Sequence, residues 1–337
     1  MYYYGLKSEK ISKSQRVRIV EGLQRLRAQL DAELPARSLE SSFLIATWNL
    51  REFGGKKYGG RLTDSMYFIA EVISRFDLVA VQEVRADLRA LRDLVRLLGK
   101  WWDYLVTDVT YGVSGNGERM AFLFDKRTVR FDNMAGEVVL PGSPDAPPLQ
   151  LARTPFVCSF RSSWTRFDIC SAHMYWGTSS ANDPRRLAEI AALAKLLAKE
   201  VAGELGDPLG RNVVLLGDFN IFNRKTDRTM QALEAAGFQM PPKLRATKTN
   251  ALGDKEYDQI AYLARDKSFE MRDKGGVFDL YKSVFRASDA AAYADDRNGK
   301  GKSFTDWRSY QISDHLPLWV ELRSDFSAEY LEGLAQS

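Results

Sequence analysis

Three apolar runs of this sequence lead directly into acidic or amide side chains. The runs at 44–48, 78–81 and 213–216 end in Asn49, in Glu83, and in Asp218 with Asn220. An ionised carboxylate beside apolar neighbours costs several kcal/mol unless it is paired or binds a cation. Each of these residues alone is typical of an ordinary strand end, whereas three together indicate a site with paired groups or a bound cation.

The sequence has two histidines, His173 and His315, and both lie at predicted strand boundaries beside polar residues. Imidazole is the side chain that exchanges a proton near neutral pH. A single histidine is usually structural. Two histidines placed at strand ends, like the carboxylates, indicate general acid and general base roles.

The remaining chemistry-bearing groups are mainly oxygen donors. Carboxylates, amides and waters are the ligands of hard cations such as Mg²⁺. A zinc site from Cys158, Cys170 and His173 is the competing interpretation. It lacks a fourth ligand, and residues three apart in a strand face opposite ways, so the pattern favours magnesium.

Short apolar strands separated by helices must position these groups. The strand predictions are 43–49, 77–82, 120–124, 154–161, 166–173, 212–218, 257–262 and 316–322. A helix is predicted after Asp183-Pro184, where a capping residue precedes the favoured first-turn proline. Many short strands with a few peripheral helices predict an α/β sandwich of two sheets with helices outside.

We expect a basic leader, one catalytic body and a tail. A helix is predicted over 7–34, with the boundaries of the three segments at 1–41, 42–325 and 326–337. The leader could contact nucleic acid, but a helix with one packed and one solvated face is the favoured interpretation. Pro and Gly residues at 141–150 predict a loop rather than a domain linker.

Composition narrows the class of protein without naming a function. The 337 residues are 45% hydrophobic and 27% charged, which excludes disordered, collagen-like and coiled-coil classes. A net charge of +4 is compatible with a polyanionic partner. No apolar run has the length of a membrane span or a secretory core, and two cysteines favour a reducing compartment, so we expect a cytoplasmic protein.

Several short motifs occur in an order that resembles the endonuclease/exonuclease/phosphatase superfamily, over about 42–322. They are Trp48-Asn49, Val81-Gln82-Glu83, Gly117-Glu118-Arg119-Met120-Ala121-Phe122, Ala172-His173, Gly217-Asp218-Phe219-Asn220, Tyr257-Asp258-Gln259-Ile260 and Ser313-Asp314-His315-Leu316-Pro317. The resemblance implies a four-layered α/β sandwich with its site at one edge between two mixed sheets. It also implies metal-dependent hydrolysis of phosphoesters.

The resemblance assigns a role to each residue. Glu83, with Asn49 and Asp314, would hold Mg²⁺, for which Mn²⁺ could substitute. Asp218 and Asn220 would position the attacking water. Proton transfers would come from two pairs, His315 with Asp258 and His173 with Glu118. The sequence does not decide which histidine is the acid.

Within the superfamily the sequence is more similar to the deoxyribonuclease I-like enzymes. That resemblance implies substrate contacts for Arg85, Arg119 and Arg153, with Arg85 in a DNA groove. Asn116 stands where those enzymes have a groove-binding tyrosine. The basic residues that follow Arg85 along the next helix are interpreted as a solvated face.

The expected function is a Mg²⁺-dependent phosphodiester hydrolase, a DNA endonuclease of low sequence specificity with nucleic acid as its partner. One alternative is a hydrolase of a smaller phosphoester, such as a phosphoinositide or a phospholipid head group. Another is a catalytically silent nucleic-acid-binding module. The oligomeric state and the number of metal ions stay open.

Overall fold

The computed structural model describes residues 1–111, 116–141, 150–203, 212–301 and 303–336. Most of the predicted loop at 141–150 lies outside them. Within the described ranges the strands are β1 Ser42–Phe53, β2 Leu78–Arg85, β3 Trp102–Val106, β4 Glu118–Asp125, β5 Arg130–Glu137, β6 Phe156–Ser162, β7 Thr165–His173, β8 Asn212–Asp218, β9 Asp258–Ala264, β10 Met271–Val277 and β11 Leu318–Arg323.

The helices of the described residues lie between and around these strands. They are α1 Lys13–Glu33, α2 Thr63–Ile73, α3 Arg89–Leu98, α4 Pro184–Ala202, α5 Arg228–Ala235, α6 Ala294–Arg297, α7 Phe304–Gln311 and α8 Ser327–Ala335. The predicted start of α4 is confirmed, because the Asp183 side chain accepts hydrogen bonds from the N–H groups of Arg185 and Arg186.

The strands form two mixed sheets. One has the order β10-β11-β1-β2-β4-β3 and the other β5-β6-β7-β8-β9. Apolar side chains from both sheets fill the space between them, with Phe43 stacked on Phe167 at 5.4 Å and Phe122 on Phe156 at 5.2 Å. Burying such a core supplies the main free energy of folding.

Helices cover the outer face of each sheet. Buried residues of α1, α2 and α3 pack against the first sheet, on alternate β1 residues such as Ala46 and Trp48. Buried residues of α4 and α5 pack against the second sheet. The predicted four-layered sandwich is therefore confirmed.

The basic leader helix packs on the body. It begins later than predicted, because the Ser12 side chain accepts a hydrogen bond from Gln15 N–H and caps α1 there. Ile19, Leu23 and Leu26 are buried on one face, while Val20 is exposed. The predicted tail contains α8, and no helix among the described residues is long and apolar enough to span a membrane.

One parallel strand pair in each sheet places the polar residues at a common edge. β1 pairs with β2 in parallel, with Asn49 opposite Gln82. β7 pairs with β8 in parallel, with His173 opposite Asp218. Parallel neighbours end on the same side of a sheet, so these residues emerge together where the two sheets meet.

Candidate active site

A bulge at the end of β2 turns Glu83 towards β1. The register between β2 and β4 shifts between Val81 and Val84, and Glu83 has a left-handed φ of 60°. Its Oε1 accepts a hydrogen bond from Asn49 Nδ2 at 2.9 Å, and its Oε2 accepts one from Glu52 N–H at 2.8 Å. The bulge thus presents the carboxylate at the site.

A glycine allows β8 to approach β7 closely just before Asp218. A Cβ atom at Gly217 would lie 1.9 Å from the carbonyl oxygen of Ala172, and Gly217 has a φ of 133°. Asn220 then adopts a left-handed φ of 53°, and its Nδ2 donates to the carbonyl oxygen of Met174 at 2.9 Å. This turn, rather than simple strand alternation, fixes Asn220 beside Asp218.

Each histidine has a carboxylate at its Nδ1 atom. His173 Nδ1 lies 3.0 Å from Glu118 Oε2, and His315 Nδ1 lies 2.8 Å from Asp258 Oδ2. Glu118 on β4 and His315 just before β11 belong to the first sheet, whereas His173 on β7 and Asp258 on β9 belong to the second. Each pair therefore joins the two sheets. A carboxylate at Nδ1 favours the tautomer that leaves Nε2 free to exchange a proton.

Asp218 lies between the two imidazole rings. Its Oδ2 atom is 3.6 Å from His173 Nε2 and 3.5 Å from His315 Nε2, and it accepts a hydrogen bond from Asn49 Nδ2 at 3.0 Å. Two proton-exchanging nitrogens therefore face one carboxylate oxygen. In this arrangement one histidine can take a proton from a water molecule while the other donates a proton to a leaving group.

The charges of the site perturb one another. Burial opposes the charged form of Glu118, but attraction by His173 and Arg153 lowers the pKa of Glu118 to about 2. Burial likewise opposes ionisation of Asp218, and the two histidines lower its pKa. Burial lowers the pKa of His315, but Asp258 and Asp218 outweigh it and raise that pKa well above its ordinary value.

The donor set suits a hard cation. Glu83, Glu118 and His173 offer ligand atoms within 4.8 Å of one another, as do Asp218, Asp258 and His315. Carboxylate oxygens predominate in both groups, which fits magnesium or manganese better than a thiolate-ligated metal. Cys158 and Cys170 are buried away in β6 and β7, so the competing zinc set is not assembled.

Two of the predicted metal ligands have other partners in this structure. Asn49 uses its amide nitrogen on Glu83 and Asp218, and its Oδ1 accepts a hydrogen bond from Arg51 N–H. Asp314 belongs to neither of the two sets of possible metal ligands, because its partly exposed side chain lies 3.3 Å from the Arg51 guanidinium. Glu83 therefore remains the strongest candidate ligand on β2.

The predicted substrate arginines have different surroundings. Arg85 is partly exposed, donates to the carbonyl oxygen of Asn116 and lies 3.6 Å from Glu52. Arg119 donates to the carbonyl oxygen of Thr107 at 2.6 Å and is also partly exposed. Substrate contact by Arg85 would require a phosphate to compete with Glu52.

Arg153, for which substrate contact is predicted, is buried. Its side chain is only 6% exposed and contacts Glu118, with Nε 3.1 Å from Oε2. A guanidinium desolvated this far needs a carboxylate partner, and Glu118 supplies it. Arg153 therefore stands behind the Glu118–His173 pair and acts on the site through it.

We predict that Arg153→Met destabilises the protein by about 3–5 kcal/mol, because it leaves Glu118 as a buried charge without its arginine. The pKa of Glu118 is lowered to about 2, so the stabilisation by this pair is present above the ordinary value of 4.5 and disappears as pH falls towards 2. Urea unfolding should show that the difference in the free energy of unfolding between the variant and the unmodified protein becomes smaller as pH falls over that range. The exposed Arg92→Ala serves as the control, with a change within about 0.5 kcal/mol at every pH.

The sequence-based interpretation missed an aromatic cluster and one arginine at the rim. Trp176, Phe222 and Tyr257 pack ring to ring, and the Tyr257 ring centroid is 5.6 Å from that of His315. Arg51 lies two residues beyond Asn49 on β1, and strand alternation could have placed it on the same side. Aromatic residues spread over three segments have no comparable signal in one sequence.

Comparison with known proteins identifies the family. Residues 46–242, more than half of the chain, match the Endonuclease/Exonuclease/phosphatase family. The chain belongs to this family. The search of curated proteins gave no match. Members of the family hydrolyse phosphoesters, so the sequence resemblance is confirmed at that level.

Solved structures of this endonuclease/exonuclease/phosphatase fold agree with the architecture. A family protein from Bacteroides thetaiotaomicron has 20% identity and a TM-score of 0.58, covering 85% of this chain and 96% of that one. The mannosyl-6-phosphatase Bt3783 of the same organism has 20% identity and a TM-score of 0.56, covering 83% and 99%. Danio rerio TDP2 complexed with a single-strand DNA product has 13% identity and a TM-score of 0.51, covering 83% and 98%. At these identities the likeness establishes the fold alone.

Proposed function

We propose that this protein is a Mg²⁺-dependent phosphodiester hydrolase that acts on nucleic acid, with DNA as the first substrate to test. The observation that carries the proposal is the position of Asp218 Oδ2 between the Nε2 atoms of two histidines, each with a carboxylate at Nδ1. Two proton-exchanging groups suit a reaction in which a nucleophile loses a proton and an alkoxide leaving group gains one.

The residues of the chain divide this work. Glu83 is the proposed ligand of the cation, which when bound polarises the phosphoryl group and offsets charge in the transition state. Asp218 and Asn220 orient the attacking water. One histidine removes the proton of that water and the other protonates the leaving oxygen. Glu118 and Asp258 hold the two rings in position.

Plasmid DNA tests the proposal directly. We expect nicking in Mg²⁺ or Mn²⁺ and none in EDTA. A parallel assay with bis-p-nitrophenyl phosphate and p-nitrophenyl phosphate separates diester from monoester hydrolysis. Cleavage of the monoester alone would favour the smaller-phosphoester alternative, and DNA binding without cleavage would favour the silent module.

Arg85→Ala tests the groove contact. If Arg85 leaves Glu52 for a nucleic-acid phosphate, the variant should lose activity on duplex DNA relative to bis-p-nitrophenyl phosphate. The slope of log activity against log salt should flatten by roughly one unit, because the variant makes one phosphate contact fewer and therefore releases one counterion fewer from the DNA. The control is Arg89→Ala, since Arg89 is exposed at the start of α3 and pairs with Asp87. Equal loss on both substrates would contradict a groove contact.

A further inference from the structure

A second group of cationic residues lies beside the proposed catalytic groups and has no role in the mechanism above. It consists of Arg51 on β1, Lys57 in the loop that follows β1, and Tyr310 on α7, and we refer to it as the basic subsite. The N–H of Arg51 donates to Asn49 Oδ1 at 3.0 Å, and its guanidinium lies 3.3 Å from Asp314, the neighbour of His315. The subsite therefore adjoins the catalytic residues on two sides.

Two positive charges in this subsite share one neutral oxygen. Arg51 Nη2 and Lys57 Nζ both donate to the Tyr310 hydroxyl, at 2.9 and 2.6 Å. Both cations also lie over the Tyr310 ring, at 3.9 and 4.4 Å from its centroid. A phenol does not neutralise two like charges, so an anion bound beside both cations would relieve their repulsion.

The available carboxylate balances only one of the two cations. Asp314 pairs with Arg51. Within the described ranges, no carboxylate lies within ion-pairing distance of the exposed Lys57. The hydrogen bond from Lys57 to Tyr310 raises the pKa of Lys57, so it is charged at neutral pH. The subsite thus has a surplus of positive charge next to the reaction centre.

The Tyr310 hydroxyl adds a further donor. It accepts both cationic hydrogen bonds, so its own proton remains to be donated, and no described residue accepts that proton. An ammonium, a guanidinium and a hydroxyl that converge on one place match a tetrahedral oxyanion with several acceptor oxygens. Phosphate is the anion of this kind that the proposed substrate carries.

Lys57 is not the sole anchor of its loop on α7. Tyr58 is a second anchor, because its ring packs edge-on against Tyr310 at 4.9 Å and its hydroxyl donates to Asp306 at 3.0 Å. Tyr58, Gly59 and Gly60 all have positive φ values that bend the loop back over α7. Because Tyr58 also anchors the loop, the exposed Lys57 can bind a ligand without leaving the loop unsupported.

We infer that Arg51, Lys57 and Tyr310 bind a second phosphate of the substrate, next to the phosphate that is hydrolysed. The inference rests on the proposed function and deepens it, because it selects substrates with at least two neighbouring phosphates. A nucleic-acid strand has this property, either through the next phosphodiester or through a terminal phosphate. An ester with a single phosphate does not.

Short oligonucleotides test the inference. Thymidylyl-thymidine has one phosphate, and the same dinucleotide with a 5′ or a 3′ terminal phosphate, or extended to the trinucleotide, has two. We expect kcat/KM to be higher for a two-phosphate substrate than for thymidylyl-thymidine. The variants Lys57→Ala and Tyr310→Phe should each lower the ratio of these two kcat/KM values by about tenfold, as loss of one charge-assisted contact implies. Lys56→Ala, an exposed lysine of the same loop, is the matched control and should leave the ratio unchanged.

The results separate the sources of the phosphate and the possible failures. A preference for the terminally phosphorylated dinucleotides selects a strand end, and a preference confined to the trinucleotide selects an internal phosphodiester. An unchanged ratio in both variants, with the unmodified enzyme active, overturns the inference while the proposed function stands. If no oligonucleotide is cleaved, the proposed function fails. Binding of the same oligonucleotides in EDTA then still tests the subsite, and equal affinity for one and two phosphates overturns it.

Discussion

Replacing Glu83 by Gln is expected to lower hydrolysis of DNA and of bis-p-nitrophenyl phosphate by more than about 10³-fold at millimolar Mg²⁺. Loss of the proposed metal carboxylate forfeits several kcal/mol of transition-state stabilisation, and each ~1.4 kcal/mol is a factor of ten in rate. The side chain is only partly buried and packs no core, so thermal stability should change little. Initial rates across a Mg²⁺ titration, with thermal melting alongside, measure both effects.

Glu52→Gln is the matched control for Glu83→Gln. Glu52 is the neighbouring carboxylate, and it holds Glu83 through its backbone N–H, which the substitution keeps. The rate of the Glu52→Gln variant on bis-p-nitrophenyl phosphate should therefore stay near that of the unmodified enzyme. Undiminished activity of Glu83→Gln at low Mg²⁺ would remove Glu83 as the ligand and most of the proposed mechanism with it.

Removing either histidine should also have a large effect. We predict that His173→Ala and His315→Ala each lower kcat by at least ~10²-fold, the low end for a positioned general acid or base, with a smaller effect on KM. Single-turnover kinetics on a labelled oligonucleotide would measure the chemical step. A double variant no slower than the worse single variant would indicate that both rings serve one proton-transfer unit.

A structural role would give a different pattern. His173 and His315 are both buried, so a lowered melting temperature with near-normal kcat at low temperature would make that histidine structural. The double variants with Glu118→Gln or Asp258→Asn add a second criterion. If each carboxylate acts through its own histidine, its removal should cost little once that histidine is absent.

The central strands of both sheets and the fold class were predictable from the sequence, because those strands are buried on both faces and read as continuous apolar runs. All eight predicted strands are present. The strands that the sequence did not reveal, β3, β5 and β10, lie at sheet edges. An edge strand has fewer apolar contacts to make, and β10 contains Gly275 and Gly276, so its pattern resembles a loop.

The catalytic candidates were recognisable as residue types at strand ends, but their contacts were not. Glu83 reaches Asn49 through a bulge whose positive φ has no counterpart in a regular strand. The contact of Arg153 with Glu118 joins residues 35 positions apart, so the sequence did not reveal it. Lys57 and Tyr310 are 253 positions apart, and such a pairing follows only from the assembled fold.

Both histidine–carboxylate pairs, and the amide of Asn49, connect one sheet with the other. Neither sheet alone therefore contains a complete proton-transfer pair, and the phenylalanines stacked between the sheets act as the spacer for the contacts that cross from one sheet to the other. A core substitution that shifts one sheet against the other by a fraction of an ångström will therefore lower the rate of hydrolysis, as a substitution in the site itself would. Until the two sheets pack against each other, neither histidine has its carboxylate partner.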